Sequence, residues 1–158
     1  MIVPVTGVFA AVIGILLLVL SVQVVKFRLK FKKGIGVTED RDFQAAVRAH
    51  GNLVEYAPIA LIMLGIAELN GVATGLIYWT GMVLVVGRIL HAWGMLNGRG
   101  GTHWARFLGI TMTWLAILFT AVLPLWNVWK VYGGVAQYGM KETGASEAPW
   151  FCAPLLTL

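Results

Sequence analysis

Residues 2–33 read IVPVTGVFAAVIGILLLVLSVQVVKFRLKFKK. The first 24 of these, Ile2 to Val25, hold no charged side chain, and five of the next eight are basic. A helix needs about 20 predominantly apolar residues to cross the hydrocarbon core of a bilayer. The run is long enough, and lysines and arginines that follow such a run mark its end at the membrane surface. The basic cluster follows the apolar stretch instead of preceding it, and no small-residue cleavage site is evident. The pattern therefore predicts a retained first helix rather than a signal peptide.

Working outward, the rest of the chain agrees. Of 158 residues, 59% are hydrophobic and only 12% are charged. Soluble domains carry about 25% charged residues, so the reading is an all-α integral membrane protein. The net charge of +5 sits mainly in two short loops, which indicates membrane orientation and not a nucleic-acid surface. Cys152 is the only cysteine, so one chain can form neither a disulfide nor a cysteine redox pair. His50, His91 and His103 lack tight metal-ligand spacing, and no metal site is expected.

Four helices are expected over residues 2–26, 42–69, 72–96 and 102–129, in a membrane domain spanning 1–130. Thr38 or Asp40 can cap the second helix, Pro58 can bend it, and Asn70-Gly71 makes a tight turn. Residues 131–158 read as a loosely held C-terminal tail, with Trp150-Phe151 available to a membrane surface or a neighbour. The connections are short, so an up-down four-helix bundle is the simplest architecture. Gly81, Gly87, Gly94 and Gly109 allow close helix packing in lipid. The 26–42 loop carries six basic residues and the 97–106 loop carries Arg99 and Arg106. Positive-inside then places both loops in the cytoplasm and both termini outside.

Ionisable groups within spanning helices are costly and become functional candidates. Arg48, Asn52 and Glu55 fall at i, i+4 and i+7, on one helix face; Arg88 and His91 share another. Arg106 opens the fourth helix, with Thr113 seven residues on. The topology brings these groups, with Arg28, to one depth on the cytoplasmic side, as a pocket for an anionic polar ligand. Plainer roles stand beside this one. Arg28 can snorkel at the interface, Arg48 can pair with Glu55, Arg88 and His91 can pair with Glu55, and Arg106 can be a topology anchor.

These same residues carry a resemblance. R-A-H-G-N-L-V-E-Y-A-P at 48–58 resembles the R-A-x-x-N-x-x-E-x-x-P signature of the MAPEG superfamily, the membrane-associated proteins of eicosanoid and glutathione metabolism. V-G-R-I-L-H at 86–91, W-A-R at 104–106 and F-R-L-K at 27–30 match further blocks in order. G-I-G-V-T-E-D and R-F-L-G-I-T-M-T-W look like its bacterial, YecN-like members. The resemblance spans roughly residues 5–126. It implies a homotrimer with glutathione bound between subunits near the cytoplasmic side, in a bacterial inner membrane. By that likeness Arg28, Arg48, Asn52, Glu55, Arg88 and His91 line or brace the glutathione site, and Arg106 stabilises the thiolate.

Residue chemistry is compatible. Arginines offer paired donors to carboxylates, and a nearby guanidinium favours the nucleophilic thiolate over the thiol. The expected function is a glutathione transferase or peroxidase acting on apolar or lipid-like electrophiles from the bilayer. Three positions depart from the family pattern. Gly51 stands where the prostaglandin synthase branch has an arginine, Met95 where it has a tyrosine, and Phe107 where a serine follows the catalytic arginine. They favour an alternative, a non-catalytic lipid-binding or accessory subunit whose tail contacts another membrane protein.

Overall fold

The structure, a computed structural model, describes residues 2–36 and 38–143. It consists of α1 (Pro4–Phe31), α2 (Arg41–Leu69), α3 (Thr74–Asn97) and α4 (Trp104–Thr143), with no strand among the described residues. All four contain a stretch long and apolar enough to cross a membrane, with mean hydropathy from 1.4 in α3 to 2.8 in α1.

The termini of these helices follow local chemistry. Proline opens α1, where its missing N–H costs nothing. The helix then runs through Lys26, Arg28 and Lys30, past the expected end near residue 26. Lysine and arginine are good helix formers, and their long stems keep the charge at the surface without ending the helix. Lys32 stops it in the left-handed conformation, φ 51°, while the N–H of Lys33 donates to the Arg28 carbonyl at 3.0 Å. Asp40 caps α2 by accepting from the Phe43 N–H at 2.8 Å. Pro58 lies within α2, and Gly71 turns the chain at φ 72°. At its far end α4 continues to Thr143, so residues 131–143 prolong that helix. Residues 144–158, which include Trp150, Phe151 and Cys152, lie outside the described residues.

Cross-helix contacts give the up-down order. Glu68 near the end of α2 accepts from the Val5 and Thr6 N–H groups at the start of α1, at 3.0 and 2.8 Å. These are orphan donors of a helix N-terminus, satisfied by a carboxylate from the antiparallel neighbour. Arg99, just beyond α3, pairs with Asp42 at the start of α2. Helices α3 and α4 approach backbone to backbone. A Cβ added at Gly109 would lie 2.4 Å from the His91 nitrogen and 2.5 Å from the Gly87 carbonyl oxygen. One added at Gly94 would lie 2.4 Å from the Arg106 nitrogen. Three of the four glycines read as packing positions therefore make one tight α3–α4 seam, and this seam fixes where Arg106 emerges. The fourth, Gly81, receives the Phe9 ring of α1. Helices α2 and α3 both touch α1 and α4, whereas α1 and α4 do not meet.

Candidate functional site

The polar residues do not share one depth; they form two layers. The inner layer centres on Arg88, whose side chain is 1% exposed. Its Nε–H donates to Thr113 Oγ1 of α4 at 2.9 Å, and Nη1 donates to Asn52 Oδ1 of α2, also at 2.9 Å. The Tyr56 ring lies 5.6 Å from the guanidinium carbon. Thr113 in turn donates to the Gly109 carbonyl at 2.9 Å. One guanidinium thus ties three helices together through neutral acceptors and an aromatic face. Its Nη2 has no protein acceptor among the described residues. His91, one turn further along α3, is buried beside the Gly109 backbone.

The outer layer is an open cavity of about 530 Å³ where the α3–α4 connection meets the start of α2. Arg41, Gln44, Arg48, Met95, Arg99 and Arg106 line it. Arg106 and Thr113 are seven residues apart, which at 1.5 Å per residue puts the two layers about 10 Å apart along α4. Arg99 to Gly101 form one wall, with Arg99 at φ 47° and Gly100 at φ 78°. Arg106 uses Nη1 to hold the carbonyls of Gly100 and Gly101 at 3.1 and 3.3 Å. Its Nε and Nη2 have no protein partner among the described residues. Arg99 is held by both Asp42 oxygens at 2.6 and 2.9 Å, and the adjacent carboxylate raises its pKa further above the ordinary arginine value. Arg41 and Arg48 are exposed and make no hydrogen bond or ion pair among the described residues. Four guanidinium groups around one cavity, with one carboxylate beside them, give a strongly positive site.

Each residue singled out from sequence has a definite place. Arg48 and Arg106 meet in the outer cavity. Arg88, Asn52 and Thr113 meet in the inner network. Glu55 is exposed and pairs with neither Arg48 nor Arg88. Arg28 lies apart, near the end of α1, where Nη1 donates to the Gly34 carbonyl and the guanidinium sits 6.0 Å above the Phe43 ring. His103 accepts from the Ala105 N–H at 3.2 Å and caps α4. Sequence reasoning passed over Arg41, Gln44 and the site role of Arg99. The first two were accessible, because 41, 44 and 48 share a face at i, i+3 and i+7. Gly51 faces open space, Met95 is buried on the cavity wall, and Phe107 is 74% exposed.

The MAPEG family model matches residues 6–126 of the chain, which takes in α2, α3, nearly all of α1, the first part of α4 and both polar layers. The chain belongs to the MAPEG family. Two Escherichia coli relatives, both described as inner membrane protein YecN, are 34% identical over 128 residues. The alignment covers 80% of this chain and 95% of each relative. As a MAPEG protein it is a membrane protein of the glutathione and eicosanoid metabolism superfamily. The matched region ends within α4, so residues 127–143 prolong that helix beyond it.

Proposed function

We propose that this MAPEG protein is a membrane-bound glutathione transferase-like enzyme that activates the thiol in the outer arginine cavity. The observation that carries this reading is Arg106, which opens α4 on the cavity wall with Nε and Nη2 unclaimed. Glutathione brings two carboxylates, an ammonium and a thiol. Arg41 and Arg48 supply unpaired donors for the carboxylates. The guanidinium of Arg106 lowers the thiol pKa by favouring the anion. The thiolate then attacks an apolar electrophile from the bilayer. A carbon–sulfur bond forms as the leaving group departs, or as an activated double bond takes up a proton from water. In peroxidase chemistry the same thiolate attacks the terminal oxygen of a lipid hydroperoxide, the O–O bond breaks, the lipid leaves as its alcohol after taking up a proton, and a second glutathione reduces the resulting sulfenic acid, giving the disulfide and water. Arg88 and Asn52 brace the site from below.

The assembly is proposed as a homotrimer in a bacterial inner membrane, with loops 26–42 and 97–106 cytoplasmic and both termini outside. Exposed Arg48 and Glu55 support it, because unpaired charges on a spanning helix are costly against lipid. A neighbouring copy would cover them, and Arg28, His91 and Glu55 would then brace a ligand held between subunits.

Ultraviolet absorbance of the thiolate tests the reading, with glutathione titrated into detergent-solubilised wild type and Arg106→Ala. A saturable signal that vanishes in the variant is expected. A second reading, a lipid-binding or accessory subunit, is favoured by the open space at Gly51 and the thioether of Met95, which thin the donor set. Absence of both thiolate signal and binding heat in the wild type would overturn the first reading in favour of the second.

A further inference from the structure

The α3–α4 connection, residues 98–103, is bonded to three helices. Toward α3 its own backbone holds it, with the Arg99 N–H donating to the Leu96 carbonyl and the Gly100 N–H to the Met95 carbonyl, both at 3.1 Å. Toward α4 the Gly100 and Gly101 carbonyls accept from Arg106 Nη1 at 3.1 and 3.3 Å. Toward α2 Arg99 grips both oxygens of Asp42, through Nε at 2.6 Å and Nη2 at 2.9 Å. This is a fork-on-fork pair, in which an arginine is fixed in direction as well as in distance.

The outer pair and Arg106 are linked through the backbone between them. Arg99 has φ 47°, a left-handed conformation that is costly for a residue with a Cβ and persists only where the surroundings hold it. That dihedral aims the peptide groups that follow, and these carry the two carbonyls bonded to Arg106. Nη1 has two N–H bonds, so both can be taken up by the two carbonyls. A guanidinium anchored in this way keeps its Nε–Nη2 edge for an anion, the same edge that Arg99 uses on Asp42. Without the anchor, a long, half-buried side chain at the cavity mouth spreads over several rotamers.

We infer that Asp42 is a positioning residue for Arg106: its carboxylate holds Arg99, Arg99 holds the turn of the connection, and the carbonyls of that turn aim the guanidinium at the bound thiol. The inference rests on the thiol-activating role proposed above for Arg106. It carries a sign that charge alone does not give. Asp42 is a negative group beside a site that stabilises an anion, so by charge alone its removal favours the thiolate. As a positioning residue, its removal disfavours the thiolate. Binding and activation also separate. Arg99, once released, adds a donor for the carboxylates of the ligand, whereas Arg106 loses its aim.

Asp42→Asn in the full, detergent-solubilised chain tests this. Ultraviolet titration of bound glutathione reads the thiolate. Its fraction at neutral pH should fall about fivefold, less than the loss expected from removing the guanidinium outright. Calorimetry with S-methylglutathione, which has no thiol to ionise, should show binding no weaker than in wild type. Glu39→Gln removes the same charge from an exposed position on the connection before α2 and should leave the thiolate unchanged. A thiolate fraction in Asp42→Asn equal to or above wild type would overturn the inference. So would weaker binding of S-methylglutathione, or an equal loss of thiolate in Glu39→Gln. NMR of nitrogen-labelled arginine side chains reads the anchor with no ligand present. Arg106, assigned by its loss in Arg106→Lys, should show hindered guanidinium rotation in wild type and free rotation in Asp42→Asn. Equal rotation in the two proteins would overturn the positioning whatever the thiol does. If rotation responds as expected while wild type gives no thiolate, the anchor stands and the thiol-activating reading falls.

Discussion

Arg88 and Arg48 are the same residue type on neighbouring helices, yet they are in opposite physical states. Arg88 is sealed between α2, α3 and α4 and bonded to Thr113 and Asn52. Arg48 is exposed on the rim of an open cavity with no partner among the described residues. A guanidinium placed among fixed neutral acceptors sets helix positions and has little left to offer a ligand. One that fold contacts leave unpaired keeps its donors for a carboxylate or a thiolate. In a membrane protein the informative property of an arginine is therefore what already holds it, more than its presence in a span.

The sharpest break of this contrast is Arg88→Ala. It removes a buried group and leaves Asn52 Oδ1 and a cavity between three helices. A loss of about 3 kcal/mol of stability is expected, measured by thermal unfolding in detergent. Arg48→Ala should change stability by less than about 0.5 kcal/mol. Equal melting temperatures for the two variants would erase the distinction. Gly109→Ala attacks the seam that positions both layers. The new methyl meets the His91 and Gly87 backbone, which cannot yield as a flexible side chain would. About 2 kcal/mol of destabilisation is expected; unchanged unfolding would mean the seam opens without cost.

Gly51→Arg sharpens the comparison in the other direction. A Cβ there meets open space, so the fold should tolerate it. An added charge-assisted contact should tighten glutathione binding about tenfold, read by calorimetry. Weaker binding would show that position 51 does not reach the ligand. The smallest effect is expected from Asp42→Asn. It releases Arg99 from an exposed pair, with side chains 62% and 44% exposed. Melting should barely move, while Arg99 becomes available to an anion in the cavity. A large fall in melting temperature would give that pair a structural role the exposure does not suggest.

Much of the fold was legible because hydropathy and helix length are properties of single segments. The four spans, the Asp40 cap and the α3–α4 glycines follow from them. Helix α1 ends later than its basic cluster predicts, at Phe31, because lysine and arginine sustain a helix well. The extension of α4 to Thr143 was hidden by the glycines and mixed polarity after Trp129. The site was half legible. Periodicity put Asn52 and Glu55 on a common face, three residues apart, but could not tell which would turn inward to Arg88. Periodicity also aligned Arg106 with Thr113 without separating them by depth. Arg99 joins the cavity only because the α3–α4 connection, bonded to Arg106, folds over the start of α2.

The most direct test is glutathione binding heat measured side by side for wild type, Arg48→Ala and Arg88→Met in the same detergent. The account predicts that Arg48→Ala keeps wild-type melting and loses most of the heat. It predicts that Arg88→Met melts lower yet still binds. An Arg88→Met protein with wild-type melting and no binding, beside an Arg48→Ala protein that binds normally, would contradict it and move the ligand site into the inner layer.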